Sequence, residues 1–264
     1  MKFDPEKLIE AYGEVQTLTT PSGHQITLRM QNGHDDDIIS NAIGVEDGTA
    51  SNKFIAGIVV HTDITENGKF NLDDAKDLKL CDKYFILVAS RIFSIGQNLH
   101  FKFTWSDKIE AEYDEDLGLL IWEYGNTEKP FPLSEDEEYY KYRIKPHAFG
   151  KDKTRTFKTR TGKELRYTFM NGHGEQYIMK IAPEFQSVNT ELFGRNIEQK
   201  VGEEWVRIQN FKSFTSFDMV DIREEIEKND PSVDLFTDIP HPTTKEIITY
   251  PIVGSTDFFF PRGI

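Results

Sequence analysis

Four groups of side chains in this sequence have residue types and spacings that could do chemistry. A run of three aspartates could bind a metal ion through its carboxylates. Two histidines in repeated Asn-Gly-His sequences could share a metal ion or act as a pH switch. An acidic pair could serve a glycosidase, and a His-Thr-Asp sequence looks like part of a catalytic site. The groups are Asp35-Asp36-Asp37; His34 and His173; Glu110, Glu112, Asp114 and Glu115; and His61-Thr62-Asp63.

The sequence favours a structural interpretation of each group. The aspartates precede apolar residues and would meet the positive end of a helix dipole in its first turn. Asn-Gly would supply the positive φ of a tight turn, and the histidine would form local hydrogen bonds. Alternating acids solvate an exposed strand edge, and a lone His61 ending an apolar run is more often structural. We therefore predict no catalytic residue, no cofactor and no metal ligand, and hence no enzyme.

The histidine-bearing segments belong to an internal duplication. Residues 22–34 and 161–173 align without a gap at a constant offset of 139 positions. Apolar residues occupy alternate positions in both copies, which is the pattern of a half-buried strand. These residues are Ile26, Leu28 and Met30 in one copy and Leu165, Tyr167 and Phe169 in the other. An offset of about half the chain indicates two related halves.

Each half is predicted to contain a strand pair, a helix, a loop, a helix and a β-hairpin, which makes an α+β fold. The first half would span residues 1–125 and the second 151–264. Residues 126–150 are rich in proline and charge and are the candidate linker. Whether the halves form one domain or two stays open.

Several elements can be placed more closely. We predict helices at residues 4–12, 73–96 and from Ser216 or Asp218 to Asn229, with Arg91 facing a partner or solvent. Residues 54–61 have the length of a strand, although a buried helix fits as well. Alternation predicts a hairpin that turns at residues 106–108, and a later turn is predicted at residues 238–242, before a strand at 247–250.

Charge and composition narrow the classes of partner. The chain has 264 residues and a formal net charge of −14, which argues against binding to nucleic acid or to an anionic membrane. Its one cysteine, Cys81, cannot form an internal disulfide or a cysteine-based zinc site. No apolar run approaches the ~18 residues of a spanning helix, and no signal peptide is evident. We expect the protein to act first in a cytoplasm.

The order of these elements resembles a viral family. The resemblance rests on five features in order. They are the Gly-turn strand pair, residues 78–82 leading into the helix with Arg91, the hairpin, residues 218–226, and the closing Asp257-Phe258-Phe259-Phe260-Pro261. They resemble the baseplate hub subunit and hub assembly proteins of T-even-like contractile-tailed bacteriophages. Many members carry paired cysteines at the hairpin turns, which suggests zinc knuckles. Residues 104–108 and 238–242 contain no cysteine, so the hairpins are zinc-ribbon-like without a zinc site.

The resemblance implies an assembly role rather than catalysis. The partners would be other tail or baseplate proteins, such as the hub, the tape measure or the tube initiator. The protein would act in the host cytoplasm during assembly, and its retention in the virion baseplate is left open. Two alternatives remain: a transient tail assembly chaperone that leaves before maturation, and a hydrolase with an acidic pair.

The candidate partner-binding residues are aromatic. Phe258, Phe259, Phe260 and Pro261 close a polar end of the chain and could dock into a partner groove, as aromatic anchors often do. Trp105, at the hairpin turn, is a further candidate. The alternative for the terminus is that at least one of its phenylalanines inserts into the protein's own core.

Overall fold

The computed structural model describes residues 4–40, 48–121, 150–181, 196–229, 235–253 and 256–259. Helices and small antiparallel sheets are mixed along the chain, which confirms the α+β class. The helices are α1 Pro5–Tyr12, α2 Gly33–Ile39, α3 Thr49–Ile58, α4 Leu72–Asp77, α5 Leu80–Ile95, α6 Gly172–Ile181, α7 Ser216–Asn229 and α8 Thr256–Phe259. The strands are β1 Val15–Thr19, β2 Gln25–Arg29, β3 Val59–Thr62, β4 Asn98–Thr104, β5 Glu110–Asp116, β6 Thr154–Lys158, β7 Glu164–Thr168, β8 Ile197–Val201, β9 Glu204–Arg207, β10 Phe236–Pro240 and β11 Ile247–Pro251.

The duplicated segments form the same substructure twice. Strands β1 and β2 pair as an antiparallel hairpin, and β6 and β7 do the same at positions 139 residues later. A third antiparallel strand joins each hairpin on its second strand, β3 beside β2 and β8 beside β7. Strand β9 extends only the second sheet. Helices α2 and α6 follow the two hairpins, and both begin at the glycine of Asn-Gly-His.

A buried aspartate near the start of a later helix holds each hairpin turn. Asp82 of α5 accepts a hydrogen bond from the backbone N–H of Ser22 at 2.8 Å. Asp218 of α7 accepts from the Thr161 hydroxyl and from Lys163 Nζ, the latter at 2.7 Å. Ser22 and Thr161 are equivalent in the duplication. The repeat therefore includes these two helices as well as the hairpins.

The two aspartates differ in electrostatics. Burial disfavours the charged form of both carboxyls. At Asp82 burial prevails and raises the pKa, although Ser22 and Thr20 donate opposing hydrogen bonds. At Asp218 hydrogen bonds, first of all from Lys163, outweigh burial and lower the pKa. His24 lies at the position equivalent to Lys163, and its ring bonds Asp63 instead.

The apolar side chains form two clusters. The first is built mostly by residues before 122, and it includes Leu235, Ile239, Ile252 and Phe258. The second combines the β6–β9 sheet with α7. Hairpin β10–β11, late in the second half, thus packs on the core of the first. The candidate linker, residues 126–150, lies outside the described residues except for Gly150, so the domain boundaries stay a prediction.

The two halves are joined by a polar contact on helix α5. Lys83 is fully buried and pairs with Glu175 of α6. Tyr84 donates a hydrogen bond of 2.6 Å to the other oxygen of Glu175. Burial lowers the pKa of Lys83 and raises that of Tyr84, which Glu175 raises further. Just before α5, Lys79 Nζ donates a hydrogen bond of 2.8 Å to the backbone carbonyl of Gly150.

Several predicted elements need correction. Residues 54–61 are not a single strand, because α3 runs to Ile58 and β3 begins at Val59. The helical stretch 73–96 is two helices, α4 and α5, because Leu78 is extended. The turn predicted at residues 238–242 is also wrong, since β10 continues through Pro240. The helix beginning at Ser216 and ending at Asn229 is confirmed.

The Asn-Gly-His sequence was wrongly predicted as a tight turn with positive φ. Asn32 is extended, with φ −140°, and its side chain caps α2. Asp35 completes a capping box by accepting from the Asn32 backbone N–H at 2.9 Å. Gly33 is the first helical residue. The expectation that the aspartates lie in the first turn of a helix is confirmed for Asp35 and Asp36, and Asp37 lies just beyond that turn.

Asp82→Asn and Asp218→Asn are expected to change the pH dependence of stability in opposite directions. The lowered pKa of Asp218 contributes stability that is fully present above about pH 5 and is lost as the pH falls through about 4 and below, so Asp218→Asn should lose less than the wild type on acidification. The raised pKa of Asp82 contributes stability that grows on acidification, so Asp82→Asn should lose more. Urea unfolding at several pH values measures both, with exposed Asp73→Asn as the control. Shifts of the same sign in both variants would contradict this electrostatic account.

Candidate partner-binding surface

Two equivalent hairpins, β4–β5 and β10–β11, pack on each other. Strand β4 ends at Thr104 and β10 ends at Pro240, so Trp105 and His241 occupy the same place at the two turns. Each backbone N–H at this place closes the turn, Trp105 on the carbonyl of Ile109 and His241 on that of Glu246. The two rings meet edge to face, with centroids 4.6 Å apart. Both side chains are buried.

Hydrogen bonds fix the orientation of these rings. Trp105 Nε1 donates to the Tyr113 hydroxyl at 3.0 Å, and that hydroxyl donates to the carbonyl of Pro240 at 2.8 Å. Nδ1 of His241 accepts from the backbone N–H groups of Thr243 and Thr244, at 3.2 and 3.0 Å. Its Nε2 lies 3.2 Å from Asp107 Oδ2. Because Nδ1 accepts two bonds, the neutral ring carries its proton on Nε2 and donates it to Asp107.

Aromatic rings fill the space between the hairpins. Tyr250 of β11 stacks on Phe101 of β4, with centroids 5.1 Å apart and planes 7° from parallel. Phe103 meets the same tyrosine edge to face at 5.4 Å. Thr237 of β10 donates to the Glu115 carboxylate at 2.7 Å at the margin of this contact. The two hairpins thus pack face to face through their inner sides, and their outer sides point away from each other.

The outer face of β4–β5 is covered by paired charges. Lys102 Nζ lies 2.7 Å from the Glu112 carboxylate on the opposite strand. His100 Nδ1 lies 2.9 Å from Asp114 in the next cross-strand pair. The bond from Lys102 lowers the pKa of Glu112. These alternating charges solvate the face, which agrees with the structural interpretation of the acidic positions.

The outer face of β10–β11 is apolar at both ends. Phe236 is 55% exposed opposite the exposed Pro251, and Ile247 is 64% exposed opposite the exposed Pro240. Between them lies one polar pair, in which Thr249 donates to Asp238 at 2.8 Å. We refer to Phe236, Pro240, Ile247 and Pro251 as the apolar hairpin face. Its four residues occupy the places of His100, Thr104, Glu110 and Asp114 on the first hairpin, and the pair Asp238–Thr249 occupies the place of Lys102–Glu112.

The candidate residues from the sequence lie behind this face rather than on it. Trp105 is buried at the hairpin junction. Phe258 is fully buried in the first core, and its backbone carbonyl accepts from Arg91 Nε at 2.6 Å. Phe259 is half-buried and meets the Phe54 ring at 5.4 Å. Phe258 therefore inserts into the core, which is the alternative that the sequence left open for these phenylalanines. Phe260 and Pro261 lie outside the described residues.

Arg91 was wrongly predicted to face a partner or solvent. It is buried, and besides Phe258 its guanidinium donates to the backbone carbonyls of Gly96 and Asn98. Burial lowers its pKa to about 10. The helical periodicity around it did not reveal this, because its bonding partners lie at a loop and in a segment 167 residues away.

The sequence contained a signal for the apolar hairpin face that was not used. Phe236, Asp238 and Pro240 alternate with Thr237 and Ile239, which is strand spacing. The two prolines at 240 and 242 favour a turn, but proline is also found on exposed edge strands. A strand prediction through Pro240 would have placed Phe236 and Ile247 on one face.

The other chemical groups do not assemble into one site. His34 is exposed on α2, whereas His173 on α6 lies 3.6 Å from Asp77. Within the described ranges, no three His, Cys, Asp or Glu side chains are grouped so that they could hold a metal ion. Among the same residues, none of the helices is both long and apolar enough to cross a membrane.

Comparisons with known proteins add no relative. No protein-family model, no curated protein and no solved structure matches this chain.

His241→Phe is expected to keep the ring contact with Trp105 and to remove the acceptor for two backbone N–H groups. Thr243 and Thr244 are exposed, so water can replace part of the lost bonding, and the free energy of unfolding should fall by about 1 kcal/mol in chemical denaturation. In the wild type, nitrogen NMR should find the neutral His241 ring protonated on Nε2. A ring protonated on Nδ1, or a variant as stable as the wild type, would contradict the assigned hydrogen bonds.

Proposed function

We propose that this protein is a structural or assembly component of a bacteriophage tail baseplate hub, which binds other tail proteins without catalysis. The observation that carries the binding role is the difference between the two equivalent hairpins. Their inner faces pack together, but one outer face carries cross-strand ion pairs and the other carries the apolar hairpin face. The choice of a tail baseplate rests on the resemblance in element order.

The apolar hairpin face fits a protein partner. A two-stranded hairpin that only met water would be expected to carry charges on its outer face, as β4–β5 does. Exposed apolar side chains grouped on a strand face are typical of interaction surfaces. Here Phe236 and Ile247 stand at opposite ends of the face, with Asp238 and Thr249 already bonded to each other. A partner can therefore cover the face without leaving that carboxylate unpaired.

The residues of this surface indicate which side chains a partner would bring to it. The partner would bring apolar side chains to Phe236 and Ile247, and a positively charged surrounding would suit a chain of net charge −14. Tail proteins such as the hub, the tape measure or the tube initiator are the proposed partners. In this proposal Trp105 and Phe258 hold the hairpins in place and do not touch the partner themselves.

The same proposal places the protein in the host cytoplasm while the baseplate is built. A hub component would stay in the mature virion, whereas an assembly chaperone would leave before maturation. Mass spectrometry of purified virions distinguishes these two roles, because only the first leaves peptides of this chain in the particle.

Phe236→Asp combined with Ile247→Asp is expected to weaken binding to the partner at least tenfold, because both apolar contacts are replaced by charge. The measurement is calorimetric titration against the purified proteins encoded beside this gene. Since both side chains are more than half exposed, the melting temperature should change little.

The matched control is His100→Asp with Glu110→Gln, at the equivalent positions of β4–β5. It should leave binding unchanged. Equal losses in both double variants would refute the assignment of the face. Absence of binding to any neighbouring tail protein would refute the proposed function itself.

A further inference from the structure

Besides the packing of the two hairpins, the halves meet in a second contact, which joins non-equivalent elements of the duplication. In this contact, the end of β7 and the start of α6 lie against the first turn of α5. The backbone N–H of Leu80 donates to the carbonyl of Met170 at 3.0 Å, and Lys79 lies 4.2 Å over the Phe169 ring. Lys83 and Tyr84 bind Glu175. The second copy of the strand-helix junction thus docks on the first copy of the helix.

The first copy of the junction has no such cover. Phe169 is 6% exposed, but its equivalent Met30 is 38% exposed. Gly172 is buried so closely that an added Cβ would lie 2.7 Å from Asn52 Oδ1 and 3.0 Å from the Cα of Lys76. At Gly33 an added Cβ would meet nothing within 4 Å. Glycine therefore allows close packing at position 172, whereas at position 33 it faces open space.

The second copy of the helix has two exposed apolar positions. Val220 is exposed at the position of Tyr84, when Asp218 is aligned with Asp82, and Tyr84 binds Glu175 in α5. Phe217, in the first turn of α7, is 61% exposed, whereas its equivalent in α5, Cys81, is buried in the first core. Val220 thus meets water at a position where α5 meets the other half, and Phe217 lies about one turn from it.

We propose that a second copy of this chain makes the missing contact. The junction surface of one molecule, Met30 and the Asn32-Gly33-His34 start of α2, docks on the helix surface of the next, Phe217 and Val220. The arrangement copies the contact already present inside each chain. Because the two surfaces are different, the association is head to tail, and it closes into a ring or continues as a filament according to the rotation between copies.

Two further observations fit this occupant. Glycine is a poor helix former, and among the described residues none lies close enough to Gly33 to require it. A backbone docked as closely as at Gly172 would require it. In addition, the Arg160 guanidinium lies 5.4 Å from the Phe217 ring and is already paired with Asp221. An apolar contact at Phe217 would therefore leave no unpaired cation beside it.

The intermolecular contact differs from the internal one in one respect. Met219 stands at the position of Lys83, and its side chain packs against the second core of its own chain. The proposed contact therefore has no counterpart of the buried ion pair, and Phe217 and Val220 would carry it.

The first experiment is sedimentation of the purified chain over a wide concentration range. The wild type should associate reversibly. Gly33→Leu fills the close-approach position, and Phe217→Glu puts a charge on the helix surface. Each should weaken self-association at least tenfold. Both should keep the wild-type melting temperature, because neither site has a buried side chain in the monomer. Val201→Glu, similarly exposed on β8, is the control and should associate like the wild type.

The second experiment mixes the two variants. Gly33→Leu still has an intact helix surface, and Phe217→Glu still has an intact junction surface. An equimolar mixture should form one heterodimer and nothing larger, which is specific to a head-to-tail contact. A wild type that stays monomeric at all concentrations would overturn the proposal. So would variants that associate normally, or a mixture that stays monomeric. None of these outcomes bears on the apolar hairpin face.

Discussion

Helix α5 carries two buried cations, and each depends on a segment far away in the chain. Lys83 is fully buried and meets Glu175, 92 residues later. Arg91 is buried two turns further along and donates to the carbonyl of Phe258, 167 residues later. Burying either charge without its partner would cost several kcal/mol. The helix can therefore reach its native environment only when the second half and the C-terminal segment have both docked on it.

This dependence explains why the duplication does not produce two equivalent units. Asp82 and Asp218 hold their hairpin turns in the same way, yet of these two helices the described residues enclose only α5 with segments from the other half. At the start of α7, the position of the buried Cys81 is taken by the exposed Phe217. Both copies have the same hairpin and helix. They differ in which side chains are buried, charged or exposed, because each copy packs against different neighbours.

The parts of the fold that depend on neighbouring residues could be predicted from the sequence. Alternation at Ile26 and Leu28 and its repetition 139 residues later indicated the hairpins, and the aspartates indicated the start of α2. The parts that depend on distant contacts could not. The burial of Arg91 follows from Phe258, and the helix at residues 49–58 follows from packing that a short apolar run does not specify. Asn-Gly was misjudged because Asn is favoured both in tight turns and at helix N-caps.

The candidate surface was missed for a related reason. Aromatic residues are prominent in a sequence, but Trp105 and Phe258 are buried within this chain. Phe236 and Ile247 became significant only when the register of β10 and β11 put them on one face. The sequence could still have suggested a comparison of the two hairpins, because a duplicated element supplies its own reference for what an ordinary solvated copy looks like.

The two proposed surfaces would support each other. The apolar hairpin face is small, with two strongly exposed side chains near its ends, so a single copy would bind a partner only modestly. A ring or filament of chains would present one such face per subunit at fixed spacing. Linked sites bind with an effective concentration that can raise the overall affinity by about 10²–10⁴ without any new contact. Head-to-tail association through Phe217 would thus turn a weak hairpin contact into firm attachment to a partner that is itself repeated, which is the situation at the end of a symmetric assembly.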